Sequence, residues 1–222
     1  SVVTPVWGER HILRFLDLVL PSWLAPNNLP SLNPGRITPL HILTRERDIP
    51  LFQQSNCFKR ALDFTVPEFI PIDDLLGPDG VPVTLTLALT RGIARHAAAG
   101  QRRSFALLNA DFLLADGSLR SLREAFDGGA HAVLAPSLRV IEEALEGELL
   151  VEVKDEVLAL QPRDLVRRAV RSLHPTVLAS RADQTVFSSA NPHQLYWRPT
   201  PDLVIGRAFC LFTLGVVVEG PV

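Results

Sequence analysis

The sequence is poor in cysteine, and it lacks the glycine motifs of two large enzyme classes. Its two cysteines, Cys57 and Cys210, stand far apart in apolar surroundings with neither metal spacing nor a disulfide framework. This predicts buried free thiols in a reducing compartment. No Gly-x-Gly-x-x-Gly follows a predicted strand, which argues against a Rossmann oxidoreductase, and the absence of Gly-x-Ser-x-Gly argues against a serine hydrolase.

Lysine is nearly absent as well. Only Lys59 and Lys154 are lysines, so 20 of the 22 basic residues are arginines, a bias that points to a GC-rich, bacterial genome. The basic residues are scattered, and 24 acidic residues bring the formal net charge to -2. Nucleic-acid-binding proteins concentrate Lys and Arg, so we expect no nucleic-acid partner.

The chain also lacks a long apolar run. No charged-then-apolar signal peptide opens it. The most apolar stretch, Leu203 to Val218, is too short to cross a bilayer and is interrupted by Arg207. We therefore expect one or two buried strands there, no integral membrane segment, and a cytoplasmic protein.

The hydrophobic pattern predicts a single α/β domain. A chain of 222 residues is long enough to bury a full core without disulfides or metal. Apolar runs predict strands at 1–8, 37–43, 64–72, 103–108 and 130–136, and helical spacing predicts helices at 12–23, 45–62, 85–98 (buried), 119–126 and 162–173. This alternation indicates a mainly parallel sheet with helices on both faces.

An acidic motif follows the clearest of these strands. The apolar run ending at Leu108 is followed by Asn109-Ala110-Asp111. A carboxylate beside a second oxygen ligand suits Mg²⁺ or Mn²⁺ that also holds phosphates. Right-handed crossovers place this triplet at the same edge of the sheet as the loop from Thr4 to Glu9. The alternative is that Asp111 is a turn or helix-capping residue, the interpretation that we favour for Asp116.

The order of strand, acidic triplet, short turn, helix and strand resembles the GT-A class of nucleotide-sugar glycosyltransferases. Their DxD motif occupies this position, although the first acid is here Asn109. The resemblance covers Val2 to Arg139. It implies a GT-A-like fold, with residues 1–140 as a nucleotide-sugar-binding α/β region and 141–222 as the acceptor-side region of the same domain. It also implies a divalent cation, Mg²⁺ or Mn²⁺, on Asp111.

The resemblance assigns donor-binding roles to residues after the strands. The loop after the first strand would meet the nucleotide, with Trp7 stacking on the base and Glu9 accepting a hydrogen bond; the residues expected to bind the nucleotide sugar are Thr4, Pro5, Trp7, Glu9, Arg45, Asn109, Asp111 and Arg139. Two of these have an ordinary alternative. Trp7 is equally expected as core, and Arg45 as solvated surface.

The same resemblance assigns catalytic and metal roles later in the chain. Glu142 or Glu143 would take the proton from the acceptor hydroxyl, although adjacent glutamates also open helices as N-terminal charges. His174 or His193 would reach the metal, and His174 is the one that we assign as a ligand. The alternative for His174 is a residue that interacts with the C-terminal end of its helix.

The sequence thus predicts a glycosyltransferase acting on a nucleotide-sugar donor and an acceptor hydroxyl. Two alternatives stay open. A sugar-phosphate nucleotidyltransferase would open with a Gly-rich loop, whereas Thr4 to Glu9 has one glycine. A non-catalytic binding module of similar fold is favoured by the missing first acid.

Overall fold

The computed structural model describes residues 1–78, 80–97, 101–183, 195–201, 203–207 and 211–220, so His193 and Cys210 lie outside the described residues. The strands are β1 (Val2–Pro5), β2 (Thr38–Thr44), β3 (Thr65–Pro71), β4 (Arg102–Leu107), β5 (Ala132–Pro136), β6 (Leu195–Thr200), β7 (Leu203–Arg207) and β8 (Leu211–Glu219). The α-helices are α1 (Glu9–Arg14), α2 (Leu20–Trp23), α3 (Leu29–Leu32), α4 (Ile49–Gln54), α5 (Asn56–Ala61), α6 (Val81–His96), α7 (Ser118–Asp127), α8 (Glu142–Leu150), α9 (Pro162–Arg171) and α10 (Pro175–Ala179).

Six strands form a mixed sheet in the order β3-β2-β1-β4-β8-β5. The pairs β3-β2, β2-β1 and β1-β4 are parallel, whereas β8 is antiparallel to both β4 and β5. The predicted α/β fold with a mostly parallel sheet is confirmed. The antiparallel β8 brings the last part of the chain into the middle of this sheet, while β6 and β7 pair as a separate two-stranded sheet.

Helices cover both faces of the sheet. Neighbouring residues of each strand point to opposite faces, so each strand contributes side chains to two cores. Val2, Leu40 and Ala106 face a core built with α1, α2, α4, α5 and α7. Val3 and Leu43 face a second core closed by α6. The approach of α6 is so close that a Cβ atom at Gly92 would lie 2.6 Å from Val3 Cγ1.

The first helical run has a defect at a predictable place. Residues 9–23 are helical throughout, but Phe15–Val19 between α1 and α2 forms a π-helix. Pro21 follows two residues later; it has no N–H to donate, and its ring crowds the preceding turn. The wider π turn accommodates this proline, so the helix predicted at 12–23 continues to Trp23.

Three local predictions were wrong. The helix predicted at 45–62 divides into a 3₁₀ turn (Glu46–Asp48), α4 and α5, because Ser55 is extended and its hydroxyl accepts the Phe58 N–H to cap α5. The apolar run at 130–136 predicts a buried strand, but β5 is not buried, because it lies at the edge of the sheet. α6 buries only one face, through Thr84, Ala88 and Gly92.

The expectations about cysteines and about membrane-spanning segments can be compared with the described part of the chain. Cys57 is a buried free cysteine, and burial raises the pKa of its thiol. None of the helices in these ranges combines the length and apolar character needed to span a bilayer.

Candidate functional site

The chain reverses its direction across the sheet between β1 and β4. β1, β2 and β3 follow one another outward, and the chain then crosses through α6 to place β4 on the other side of β1. In open α/β sheets, ligands bind beyond the carboxyl ends of the two strands that flank such a reversal. The loops after β1 and β4 therefore define the candidate site.

The two strands separate at this edge because of Pro5. The carbonyls of Ser1 and Val3 face β4, where they accept hydrogen bonds from the N–H groups of Ala106 (2.8 Å) and Leu108 (3.0 Å). Pro5 is the next β1 residue with this orientation, and it has no N–H to donate to β4. Pairing of β1 with β4 stops there, which opens the edge between the two loops.

A charged clamp fixes the loop after β1. Asp48 is buried, and its carboxylate accepts hydrogen bonds from Gly8 N (2.8 Å), Arg45 Nε (2.6 Å) and Arg45 Nη2 (3.1 Å). Burial by itself would raise the pKa of Asp48, but the hydrogen bonds from Arg45 and Gly8 outweigh it and lower the pKa below 3.8. Gly8 has φ +86°, a conformation suited to glycine, so the clamp holds a sharp turn before α1.

The triplet after β4 forms a turn that exposes its carboxylate. Phe112 N donates to Asn109 O at 3.0 Å, and Asp111 lies on the exposed side of this turn. Asp111 does not cap a helix, because α7 begins at Ser118 with Gly117 as its N-cap. No hydrogen bond or ion pair engages the Asp111 carboxylate within the residues that the structure describes.

The chain after this turn is anchored to the first helical run. Trp23 Nε1 donates to Phe112 O at 3.0 Å, and Leu114 N donates to Ser22 Oγ at 3.1 Å. Asp116 accepts from both the main chain and the side chain of Asn27, each at 2.8 Å. Asp116 is therefore structural, although it holds Asn27 and does not cap α7, whose N-cap is Gly117. The free carboxylate of Asp111 projects from a segment that these hydrogen bonds fix in place.

The predicted nucleotide-binding residues after β1 lie at different depths. Thr4 and Pro5 are buried beneath the edge, and Thr4 Oγ1 has no hydrogen-bond partner among the described residues. Trp7 is half-buried and packs on the core under α6, so much of its surface serves the fold. Glu9 is exposed at the start of α1. The direct ligand contacts of these four residues stay predictions.

Arg45 is also at this edge, but its guanidinium is already engaged by Asp48. The predicted pairing of Arg45 with a diphosphate remains a prediction. What sequence reasoning missed was Asp48 itself, although its position three residues after Arg45 is a spacing at which side chains on a helical turn meet.

Of the two candidate bases, one is paired. Glu142 opens α8 and binds Arg14 of α1, with Arg14 Nε 2.8 Å from Glu142 Oε1. Arg14 also pairs with Glu146, and this hydrogen bond lowers the pKa of Glu146. Glu143 is exposed, and no hydrogen bond to its side chain is found in the described structure.

A shallow groove lies beside these groups. It encloses about 440 Å³ and is lined by Glu9, Arg10, Leu13, Arg14, Asp17 and Glu146. It runs between Glu9, predicted to bind the nucleotide, and Glu146 of α8, and neither Glu142 nor Glu143 lines it. Asp111 does not line this groove, so the hollow and the free carboxylate are separate features of the described structure.

Arg139 and His174 are brought together by the main chain. Arg139 lies beyond the end of β5, and its carbonyl accepts a hydrogen bond from His174 N at 2.9 Å. His174 is not bound to the end of α9, so that interpretation was wrong. Its Nδ1 accepts from Thr176 N at 3.2 Å and caps α10, whose first residue is Pro175. Proline suits the first turn of a helix, which is why a new helix starts here.

Within the described ranges, one group of three side chains has the spacing of metal ligands. It consists of His41 on β2, Glu68 on β3 and His96 at the end of α6, and it includes neither Asp111 nor His174. Sequence reasoning did not identify it, because the three residues are far apart in the chain and match no ligand motif.

Comparison of this chain with protein-family models, with curated proteins and with solved structures finds no match. The geometry of the carboxyl edge is therefore the basis for assigning a function.

Proposed function

We propose that the edge between β1 and β4 binds the diphosphate of a nucleotide sugar, and that the chain is a GT-A-like glycosyltransferase. The observation that carries this proposal is the unpaired Asp111 carboxylate at the carboxyl edge where the strand order reverses. This is the position at which open α/β sheets bind nucleotides. The clamped turn at Gly8 forms the other side of the same edge.

Asp111 and Asn109 offer oxygen ligands, which Mg²⁺ and Mn²⁺ prefer. No other acidic, His or Cys side chain in the described structure completes a three-residue group with Asp111. The donor diphosphate and water would therefore supply the remaining ligands, as is usual for a cation held mainly by phosphates. Such a cation would neutralise charge on the leaving diphosphate.

The acceptor hydroxyl needs a base, and Glu143 is the better candidate. The charge of Glu142 is balanced by Arg14, so Glu142 is fitted to hold α8 against α1. Glu143, one position further along α8, remains exposed to solvent. A carboxylate that is not held in an ion pair is free to accept a proton from a bound hydroxyl.

A non-catalytic nucleotide-sugar-binding module is the second candidate. Two observations favour it: an amide, Asn109, replaces the first acid, and Glu142 is occupied by an ion pair. A module would bind the nucleotide diphosphate but would not cleave a nucleotide sugar.

Calorimetry with nucleoside diphosphates, with and without Mn²⁺, tests the shared part of both candidates. We expect Mn²⁺-dependent binding that the Asp111→Asn variant weakens by at least about tenfold, equivalent to ~1.4 kcal/mol. Asp127→Asn is the matched control, because Asp127 is an exposed carboxylate at the far end of α7. Binding that is absent, or equal in Asp111→Asn and wild type, would contradict the proposed site.

Hydrolysis of nucleotide sugars, followed with and without an acceptor mixture, separates the enzyme from the module. The enzyme predicts release of nucleoside diphosphate that Glu143→Gln abolishes while calorimetric binding persists. Binding without any release of product assigns the module instead.

A further inference from the structure

A second cluster of metal-ligating side chains lies away from the proposed nucleotide site. His41 and Glu68 are direct register partners in the middle of β2 and β3. His96 is the last residue of α6, whose chain has by then crossed back from the carboxyl ends of the strands. The cluster therefore joins two strands to the end of the helix that covers them.

The spacing of the three side chains matches a metal site. Glu68 Oε2 lies 3.3 Å from His41 Nδ1 and 3.0 Å from His96 Nε2, and one ligand atom from each residue falls within a 4.8 Å span. A tetrahedral ion with bonds of about 2.0–2.1 Å separates its ligand atoms by roughly 3.3 Å. These distances need little adjustment to bind Zn²⁺.

The two imidazoles are incompletely satisfied by the described residues, because their contacts with Glu68 Oε2 are not well-oriented hydrogen bonds. His41 is only 4% exposed, and neither of its ring nitrogens makes a well-oriented hydrogen bond to the part of the chain that the structure describes; His96 Nε2 is buried there without one as well. The two rings stack with centroids 3.6 Å apart, so they present their edges side by side. Since buried polar atoms are nearly always satisfied, these nitrogens call for a further ligand.

The surroundings orient the carboxylate toward the imidazoles. Arg95 Nε binds Glu68 Oε1 at 2.8 Å, which leaves Oε2 to face His41 and His96. Residues that ligate metals are commonly held by such an outer hydrogen bond.

We infer that His41, Glu68 and His96 form a Zn²⁺ site that fastens the end of α6 to β2 and β3. Two imidazoles and one carboxylate favour Zn²⁺ over Mg²⁺ or Ca²⁺, which prefer oxygen ligands. Glu68 and His96 retain side-chain exposures of 35% and 19%, so water can reach the fourth position. Arg95 and Arg103 act electrostatically on His96 and oppose a cation, which predicts weaker binding than in a closed four-ligand site.

Zinc titration of untagged protein, in competition with a chelating indicator, tests this inference. We expect one Zn²⁺ per chain. Loss of a group that only hydrogen-bonds to a metal ligand weakens metal binding about 10–100-fold. His96 and Glu68 would bind the metal directly, so His96→Gln and Glu68→Gln should each weaken binding by at least about 100-fold. His131→Gln, at an exposed histidine outside the cluster, should bind as wild type does.

Thermal unfolding gives an independent readout. At zinc concentrations of about 100 times Kd, we expect Tm of the wild type to rise by roughly 5–10 °C, and not to rise in His96→Gln. Wild-type protein without stoichiometric Zn²⁺ overturns the inference, whether or not the variants fold. Equal binding by folded wild type, His96→Gln and Glu68→Gln overturns it too. Asp111→Asn should retain Zn²⁺, which keeps this result distinct from that at the nucleotide site.

Discussion

The clamp at the carboxyl edge gives the most specific stability prediction. Asp48 receives two hydrogen bonds from Arg45 and one from Gly8, with distances of 2.6, 3.1 and 2.8 Å. Asp48→Asn removes the charge and keeps the shape, but its amide group must face the donors that the carboxylate accepted. Each lost hydrogen bond to a buried charged group lowers the free energy of unfolding by about 1.5–3 kcal/mol. Breaking a buried ion pair lowers it by about 3–5 kcal/mol.

These losses overlap, because all three bonds belong to one carboxylate and Arg45 is 18% exposed and can partly turn to water. We therefore expect Asp48→Asn to lower the free energy of unfolding by about 2–3 kcal/mol. For a chain of this length, this corresponds to a fall in Tm of roughly 4–12 °C.

The chain contains a matched control for the same measurement. Arg60 and Asp63 have the same spacing in sequence as Arg45 and Asp48 and a similar contact of 2.7 Å, but they are 51% and 55% exposed. Asp63→Asn should change stability by no more than about 0.5 kcal/mol. Urea unfolding of both variants decides the matter, and equal effects would refute the view that burial gives the Asp48 clamp its strength.

Two further predictions concern helix packing and acid. Gly92→Ala should destabilise the protein by about 1–3 kcal/mol, because its Cβ would lie 2.6 Å from Val3 Cγ1. The control is Gly147→Ala inside α8, whose Cβ would meet nothing within 4 Å and which should stabilise the protein by about 0.5–1 kcal/mol. Calorimetric unfolding measures both variants, and a neutral Gly92→Ala would contradict the close packing of α6. The pKa of Asp48 is held below its ordinary value of 3.8 in the folded chain. The contribution of Asp48 to the free energy of unfolding is therefore complete above pH 3.8, and it is lost as the pH falls through the pKa of the folded state. The stability difference between wild type and Asp48→Asn, measured by urea unfolding, should therefore be constant from pH 7 to 5 and narrow below pH 3.8; a gap that narrows already near pH 6 would contradict this assignment.

Local pattern predicted most elements of the sheet, whereas a turn at Asp111 was only the alternative to its role as a metal ligand. The apolar runs at β1, β2 and β4 have the composition of strands buried on both faces, and α7 shows clear helical spacing. The periodicity of a strand does not encode which strand it will pair with. The insertion of β8 between β4 and β5 was therefore not predictable from its sequence alone.

The interactions that sequence reasoning missed all depend on side chains meeting in space. Asp48 becomes important because Gly8 is folded against it, forty positions away. His174 caps α10 because Pro175 starts a new helix, which a reading of α9 alone overlooks. His41, Glu68 and His96 converge only because β2 pairs with β3 and α6 returns across them.

A crystal of the protein grown with Mn²⁺ and a nucleoside diphosphate, measured for anomalous scattering by manganese, tests the central claim most directly. The proposed function predicts a manganese peak within about 2.5 Å of an Asp111 carboxylate oxygen, bridged to the diphosphate at the edge between β1 and β4. A nucleotide bound elsewhere, or manganese found only beside His41, Glu68 and His96, would contradict it.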